Sequence, residues 1–249
     1  MAKESNTWIM YGVAQDDPEC IRTVEEAITY INEVGFLPLF KNRIPGFSLE
    51  ERTVPDYWWT GDVLRDPWEW REIIARSQKV AYGKFFDKKA GFISREWFPY
   101  FANCRRDGYD FDALWDDEKA SRRQKKIMDL FEGEDTELYS FEVKQKAGFG
   151  KDGEKNFEGT ITGLQMQTYL CIRDFRQRKN KSGAGYGMDV AVYSKPEYLW
   201  GYEHVTSAYR EEPLESAGRI AKHMRDIYPI AAAEQILKVL GVGVDSYGL

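Results

Sequence analysis

Residues 140–193 read SFEVKQKAGFGKDGEKNFEGTITGLQMQTYLCIRDFRQRKNKSGAGYGMDVAVY, and this stretch decides the predicted fold. It begins with a short helical run that starts at Ser140 and ends near Gly148. A second helix is predicted over about 156–170. Two strand-like runs follow, joined by a basic, glycine-containing turn at 178–181. A helix, a turn, a longer helix and a hairpin, in this order, are typical of a winged helix-turn-helix.

The chain as a whole is predicted to be α+β and mostly helical, with helices flanking the winged helix-turn-helix. The winged unit is placed at 119–195, where a helix over 122–131 precedes Ser140. Residues 1–118 are predicted to form an N-terminal α+β region. Its helix–strand–strand–helix order is compatible with a second winged-helix-like module. The polar, acidic run 105–118 is interpreted as the linker or loop between these two regions, and 196–249 as a C-terminal helical region.

The winged unit predicts a surface that contacts double-stranded DNA. On the second helix, Phe157, Ile161, Leu164 and Thr168 share an inner face, which leaves Thr160, Gly163 and Gln167 on the outer face to approach a groove. Basic side chains on the strands and the turn are predicted to contact phosphates, which provides affinity without sequence recognition. The predicted DNA-binding residues are Thr160, Gln167, Arg173, Arg176, Arg178, Lys179 and Lys181.

The charge of the chain restricts this prediction to one region. The formal net charge is -6, whereas dedicated nucleic-acid-binding proteins are more often basic. Residues 141–186, however, carry nine lysines and arginines against five acidic residues. DNA binding, if it occurs, is therefore expected to be local to the winged unit.

Other classes of function find little support in the sequence. No apolar run approaches the roughly 18 residues of a membrane span, so no membrane association is expected. The GxGxxG pattern at 148–153 follows a polar run and not a hydrophobic strand, so it is interpreted as a turn, and no nucleotide or other cofactor is predicted. His204 and His223 have no neighbours at metal-ligand spacing, so no metal is predicted. Three widely spaced cysteines, Cys20, Cys104 and Cys171, favour a cytoplasmic protein.

One motif points to a family. The triplet Gln165-Met166-Gln167 within a winged-helix pattern resembles the AlkZ/YcaQ group of bacterial DNA glycosylases, which are built from tandem winged helices and remove alkylated or crosslinked bases. The segments DPWEWREIIARS (66–77), YGKFFDKKAGFIS (82–94) and YGMDVAVYSKPEYLWG (186–201) are similar to short AlkZ-related proteins. The resemblance implies glycosidic-bond hydrolysis, with Gln165 and Gln167 as the catalytic pair.

Helical geometry restricts how this pair could act. Residues two apart on an α-helix point about 200° apart, so Gln165 and Gln167 could face one substrate only if the helix ends or distorts near Met166. Two alternatives therefore stay open beside the glycosylase. The first is a non-enzymatic winged-helix transcriptional regulator, and the second is a protein-interaction module without a nucleic-acid role.

Overall fold

The computed structural model describes residues 9–180 and 182–241, and a six-stranded antiparallel sheet lies at its centre. The order of strands across the sheet is β1-β3-β2-β5-β6-β4. The strands are β1 (Phe36–Pro38), β2 (Val80–Phe86), β3 (Lys89–Ser94), β4 (Leu138–Tyr139), β5 (Cys171–Lys179) and β6 (Gly185–Ser194).

The predicted α+β class is confirmed, and helices contribute more residues than strands. They are α1 (Val24–Val34), α2 (Pro67–Ser77), α3 (Phe98–Arg106), α4 (Phe111–Asp116), α5 (Arg122–Met128), α6 (Ser140–Lys146), α7 (Phe157–Met166), α8 (Pro196–Trp200), α9 (Tyr202–Val205), α10 (Pro213–Ile227) and α11 (Ala233–Leu240). Residues 242–249 of the predicted C-terminal region lie outside the described residues.

Local signals explain where several of these helices begin. The Thr23 side chain accepts a hydrogen bond from the N–H of Glu26 and caps α1. Asp66 caps α2 in the same way, and Pro67 fits the first turn of α2 because no helical hydrogen bond is required there. Six of the seven residues of β2 are buried, so helices and loops cover both faces of the sheet at this strand.

The elements of the predicted winged unit occur in the predicted order. α5, α6 and α7 are followed by the β5–β6 hairpin. The hairpin is also part of the central sheet, because β5 pairs with β2 through Tyr82 and Ile172. One sheet therefore combines strands from the predicted N-terminal region and from the predicted winged unit. The division at residues 118 and 195, and the second winged-helix-like module, stay predictions.

One local prediction needs correction. The run 105–118 is not a simple linker, because it contains the end of α3 and all of α4, whose Phe111 and Leu114 are buried. The aromatic residues of this run therefore supply core contacts. α3 begins at Phe98, and Pro99 fits there because the first turn of a helix needs no hydrogen bond from its N–H.

Candidate nucleic-acid interface and polar cavity

The far end of the β5–β6 hairpin is the most exposed part of the predicted interface. Residues 177–180 and 182–189 are all exposed, and we call this part the tip of the hairpin. At the other end, Cys171 and Ser194 pair inside the sheet, and we call this end the base. The described part of the basic turn is exposed, and its contact with phosphates stays a prediction. Lys181 lies outside the described residues.

Arg173 and Arg176, which were predicted to contact DNA, lie nearer the base and are held by carboxylates of the same protein. Arg173 Nε lies 2.8 Å from Glu137 Oε1, and Arg173 also pairs with Asp135. Arg176 Nη1 lies 2.6 Å from Glu137 Oε2, and its Nε lies 2.5 Å from Asp174 Oδ2. The positive charges of both arginines are thus balanced within the protein.

Asp174 is the buried centre of this ion-pair network. Its second oxygen lies 2.8 Å from Arg76 Nε on α2. Burial by itself would raise the pKa of Asp174, but the hydrogen bonds from Arg76 and Arg176 hold this pKa below its ordinary value. The network therefore fastens the hairpin to α2, and its first role in this structure is to hold the sheet together.

Arg178 and Lys179 at the tip differ from these two arginines. Within the part of the chain that the structure describes, no carboxylate oxygen lies within 4.0 Å of either side chain. The Arg178 guanidinium lies 4.7 Å from the centre of the Phe141 ring, and Tyr139 stacks on Phe141. This aromatic contact orients Arg178 without neutralising its charge.

The outer face predicted for α7 is only partly correct. Thr160 is buried, and its hydroxyl donates to the carbonyl of Asn156, so the prediction that it faces outward is wrong. Ile161 and Thr162 are buried as well. Three consecutive buried residues cover more than half of the helix circumference, because α7 packs against both β2 and α5. DNA contact by Thr160 stays a prediction, but this conformation does not present it.

The two glutamines of the Gln-apolar-Gln triplet occupy different environments. α7 ends at Met166, so the helix does stop where their convergence would require it. Gln165 is nevertheless fully buried, and its Oε1 accepts from the backbone N–H of Lys84 on β2 at 3.0 Å. Its Nε2 donates to the carbonyl of Ile161. Gln165 thus holds α7 against the sheet with both ends of its amide.

Gln167 lies just beyond the end of α7 and is only partly buried. Its Oε1 accepts a hydrogen bond from Gln124 Nε2 on α5 at 2.7 Å. The two amides of the triplet therefore point to different neighbours, Gln165 to the sheet and Gln167 to α5. Their catalytic role is a prediction that this arrangement does not test.

The turn that follows Gln167 is unusual. Thr168 has φ of 64° and is fully buried, although a β-branched residue disfavours the left-handed region by about 1 to 3 kcal/mol. Arg106 at the end of α3 holds it, because Nη2 donates to the Thr168 carbonyl at 2.8 Å. Arg106 Nη1 also lies 2.6 Å from Glu197 Oε1. This buried ion pair fixes the path of the chain from α7 into β5.

A cavity of about 170 Å³ opens beside Arg106 at the base of the hairpin. Its lining contains five carboxylates, several aromatic rings and only two cations. The lining residues are Arg106, Asp110, Phe111, Asp112, Met128, Asp129, Phe131, Glu132, Tyr169, Lys195, Glu197 and Tyr202. An excess of carboxylates beside aromatic faces favours a flat, positively charged group.

Two groups in this acidic cavity stand out. Glu197 Oε2 is buried and has no hydrogen-bond partner among the described residues, so one acceptor is unused. The Tyr202 hydroxyl donates to Asp110 Oδ2 at 2.6 Å, and this hydrogen bond raises the pKa of Tyr202 to about 12. No motif in the sequence indicates this cavity. Arg106 reads as an exposed cation in the last turn of a helix, and nothing local marks Glu197 as its partner.

Comparison with known proteins gives one match. The model of the family described as "AlkZ related" matches residues 21–241. The chain belongs to the AlkZ-related family. No curated protein and no solved structure matches this AlkZ-related chain. Among the residues that the structure describes, none of the helices has the length and apolar character to cross a membrane.

Proposed function

We propose that this AlkZ-related protein binds duplex DNA through the tip of the β5–β6 hairpin and removes alkylated bases. The observation that carries the proposal is the unbalanced charge of Arg178 and Lys179 on an exposed two-stranded ribbon. Such groups can neutralise phosphates and release counterions without first breaking an ion pair. Family membership and the acidic cavity support the second part of the proposal.

The length of the hairpin supports one position for the proposed DNA. β5 has nine residues, so its two ends are about 30 Å apart at roughly 3.3 Å per residue. A duplex that lies along the hairpin would contact the tip with one segment and pass the acidic cavity with another, about nine base pairs away at roughly 3.4 Å each. In this arrangement the hairpin replaces α7 as the main DNA-contacting element. We further propose that α5, α6, α7 and the hairpin act together as the winged helix-turn-helix.

The acidic cavity suits the alkylated base before its glycosidic bond breaks. At about 170 Å³ it lies below the roughly 300 Å³ at which drug-sized pockets begin, so it would hold one small group such as a base turned out of the duplex. An alkylated base carries positive charge, which the carboxylates of Asp110 and Glu197 would stabilise. Aromatic faces such as that of Tyr169 would stack on its ring.

The chemistry would need little from the protein, because the cationic base is already a good leaving group. Water adds to the sugar carbon while the bond to the base breaks. The electron pair of that bond passes to the positively charged ring, and the proton of the water passes to solvent. Of the two glutamines, Gln167 has the exposure to position this water. A glutamine is not a strong base, so its contribution would be positioning. Gln165 would act as a positioning residue that fixes α7.

A binding experiment tests the first part of the proposal. We expect the affinity for duplex DNA to fall steeply with salt, and Arg178→Ala/Lys179→Ala to reduce the salt slope by about two. Arg173→Ala/Arg176→Ala is the matched control, since it removes the same charge from the same hairpin but from groups that are already paired. Equal slopes for the two double variants would contradict binding through the tip.

An excision experiment tests the second part. The protein is incubated with duplex DNA that contains alkylated purines, and abasic sites are counted. We expect Gln167→Ala and Asp110→Asn to reduce the rate about tenfold or more, with DNA binding retained. Failure of the wild-type protein to form abasic sites would overturn the enzymatic proposal. A sequence-specific footprint on undamaged DNA would then favour the transcriptional regulator.

A further inference from the structure

A second, larger cavity lies at the opposite edge of the sheet. Its volume is about 540 Å³, and it opens between β1, the β2–β3 turn and α11. It lies four strand spacings from β6, about 20 Å across the sheet. The lining residues are Ile9, Tyr11, Pro38, Phe40, Lys41, Asn42, Arg43, Glu50, Phe86, Asp87, Lys89, Lys238 and Val239. No step proposed above uses this cavity.

The floor of this edge cavity is apolar, and its rim is basic. Pro38, Phe86 and Val239 are buried, so the apolar surface belongs to the body of the protein. Around it are four exposed cations, Lys41, Arg43, Lys89 and Lys238. Within the described ranges, no carboxylate oxygen lies within 4.0 Å of these four side chains. The ion pairs that neutralise Arg173 and Arg176 have no equivalent here.

The acidic side chains of the edge cavity do not neutralise the positive charge of its rim. Glu50 is buried, and its two oxygens accept the backbone N–H groups of Tyr11 at 2.9 Å and Lys41 at 2.8 Å. Its charge is therefore already stabilised by hydrogen bonds. Asp87 is exposed in the β2–β3 turn. The Lys41 ammonium lies 3.2 Å from the centre of the Tyr11 ring, which orients it at the rim without cancelling its charge.

We propose that the edge cavity binds a small organic anion with an apolar body, such as a medium-chain carboxylate. The rim supplies charge complementarity for the anionic head, and the floor removes the apolar body from water at about 25 cal/mol per Å². The volume lies within the roughly 300 to 1,000 Å³ of ligand pockets. A cation of the same size would be repelled by the rim, and a neutral molecule would gain only the apolar part of the binding energy.

The test compares three ligands of one chain length on the full-length protein. Octanoate, octanol and octylammonium are titrated by calorimetry, and the melting temperature is measured with each. We expect octanoate to bind best, to raise the melting temperature and to weaken with added salt. Equal affinity for octanoate and octylammonium, or no binding of octanoate, would overturn the proposal.

Two variants locate the binding. Arg43→Ala/Lys89→Ala should weaken octanoate about tenfold or more, because charge-assisted contacts are lost. Lys79→Ala is the matched control, since Lys79 is exposed and does not line the cavity, and it should leave the affinity unchanged. Undiminished affinity in the double variant would place the anion elsewhere and refute this site. None of these readouts depends on DNA.

Discussion

Polar groups near the two ends of the β5–β6 hairpin differ in burial and in bonding to the protein. Near the base, Arg106 and Gln165 are buried. The Arg106 guanidinium donates to Glu197 and to the Thr168 carbonyl, and the Gln165 amide bonds to the backbone of Lys84 and Ile161. At the tip, Arg178 and Lys179 are exposed, and no carboxylate of the described residues pairs with them. A charged residue in the sequence is therefore available to a ligand only where the fold leaves it exposed and without an ion-pair partner. Changes at the base should therefore affect stability, and changes at the tip should affect binding.

Removal of the carboxylate at the base should have the largest effect on stability. Glu197→Ala leaves the Arg106 guanidinium, whose side chain is 1% exposed, without its ion-pair partner. We expect the free energy of unfolding to fall by about 3 to 5 kcal/mol, as for other buried pairs that lose one member. Urea denaturation measures it. The control is Glu203→Ala on α9, which is exposed and should stay within about 0.5 kcal/mol. A loss below about 1 kcal/mol for Glu197→Ala would contradict the structural role of this pair.

Gln165→Ala should have the next largest effect. It leaves the N–H of half-buried Lys84 unpaired and opens a small void at the fully buried Gln165 side chain, for an expected loss of about 2 to 3 kcal/mol. Gln167→Ala should lose less than about 1 kcal/mol, because Gln167 is partly exposed. Hydrogen exchange of the Lys84 amide gives a direct measurement. Protection that is unchanged in Gln165→Ala would show that Gln165 does not hold α7 to β2.

Much of the fold was predictable from local signals. Thr23, Asp66 and the glycine-containing turns mark helix and strand ends, because capping and turn geometry depend on neighbours in the sequence. The topology of the sheet was not predictable in this way. Periodicity identifies β2 and β5 as strands, but the two are about 90 residues apart, and nothing local states that Tyr82 pairs with Ile172. The hairpin was therefore expected as a separate wing and occurs inside a larger sheet.

The candidate site was predictable only where no tertiary partner intervenes. The exposed turn with Arg178 and Lys179 followed from composition, because a basic, glycine-flanked turn stays at the surface. Arg173 and Arg176 have the same chemistry in the sequence. Their shared partner Glu137 lies more than 30 residues away in the sequence, and only the folded sheet brings it close. The left-handed backbone of Thr168 was not predictable from the sequence, because tertiary contacts impose that conformation.

Glu72 on α2 makes the stability of the protein depend on pH, because its carboxyl is partly buried. Burial raises the pKa of Glu72 from 4.5 to about 7. Arg71 opposes the shift, and Asp189 on β6 and Glu69 add to it. The folded state thus holds a proton that the unfolded state has lost, so this contribution is full below pH 4.5 and is lost as pH rises through about 7.

We expect the free energy of unfolding to fall by roughly 1 to 2 kcal/mol between pH 5 and 8, less than full burial would give. Urea denaturation across this pH range measures it. Glu72→Gln should abolish this part of the slope, because the amide stays neutral at every pH. A slope that persists in Glu72→Gln would assign it to other groups.

The tip should have the smallest effect on stability, and this is the sharpest test of the contrast. Arg178→Ala/Lys179→Ala removes two charges that pair with no carboxylate in the described part of the chain, so the free energy of unfolding should change by no more than about 0.5 kcal/mol. Arg173→Ala/Arg176→Ala removes the same number of charges but takes one partner from buried Asp174, and should lose about 1 to 3 kcal/mol. Paired urea denaturation of the two double variants measures both values. If the tip variant is the less stable of the two, Arg178 supports the fold through its contact with Phe141, and its charge is not reserved for a ligand.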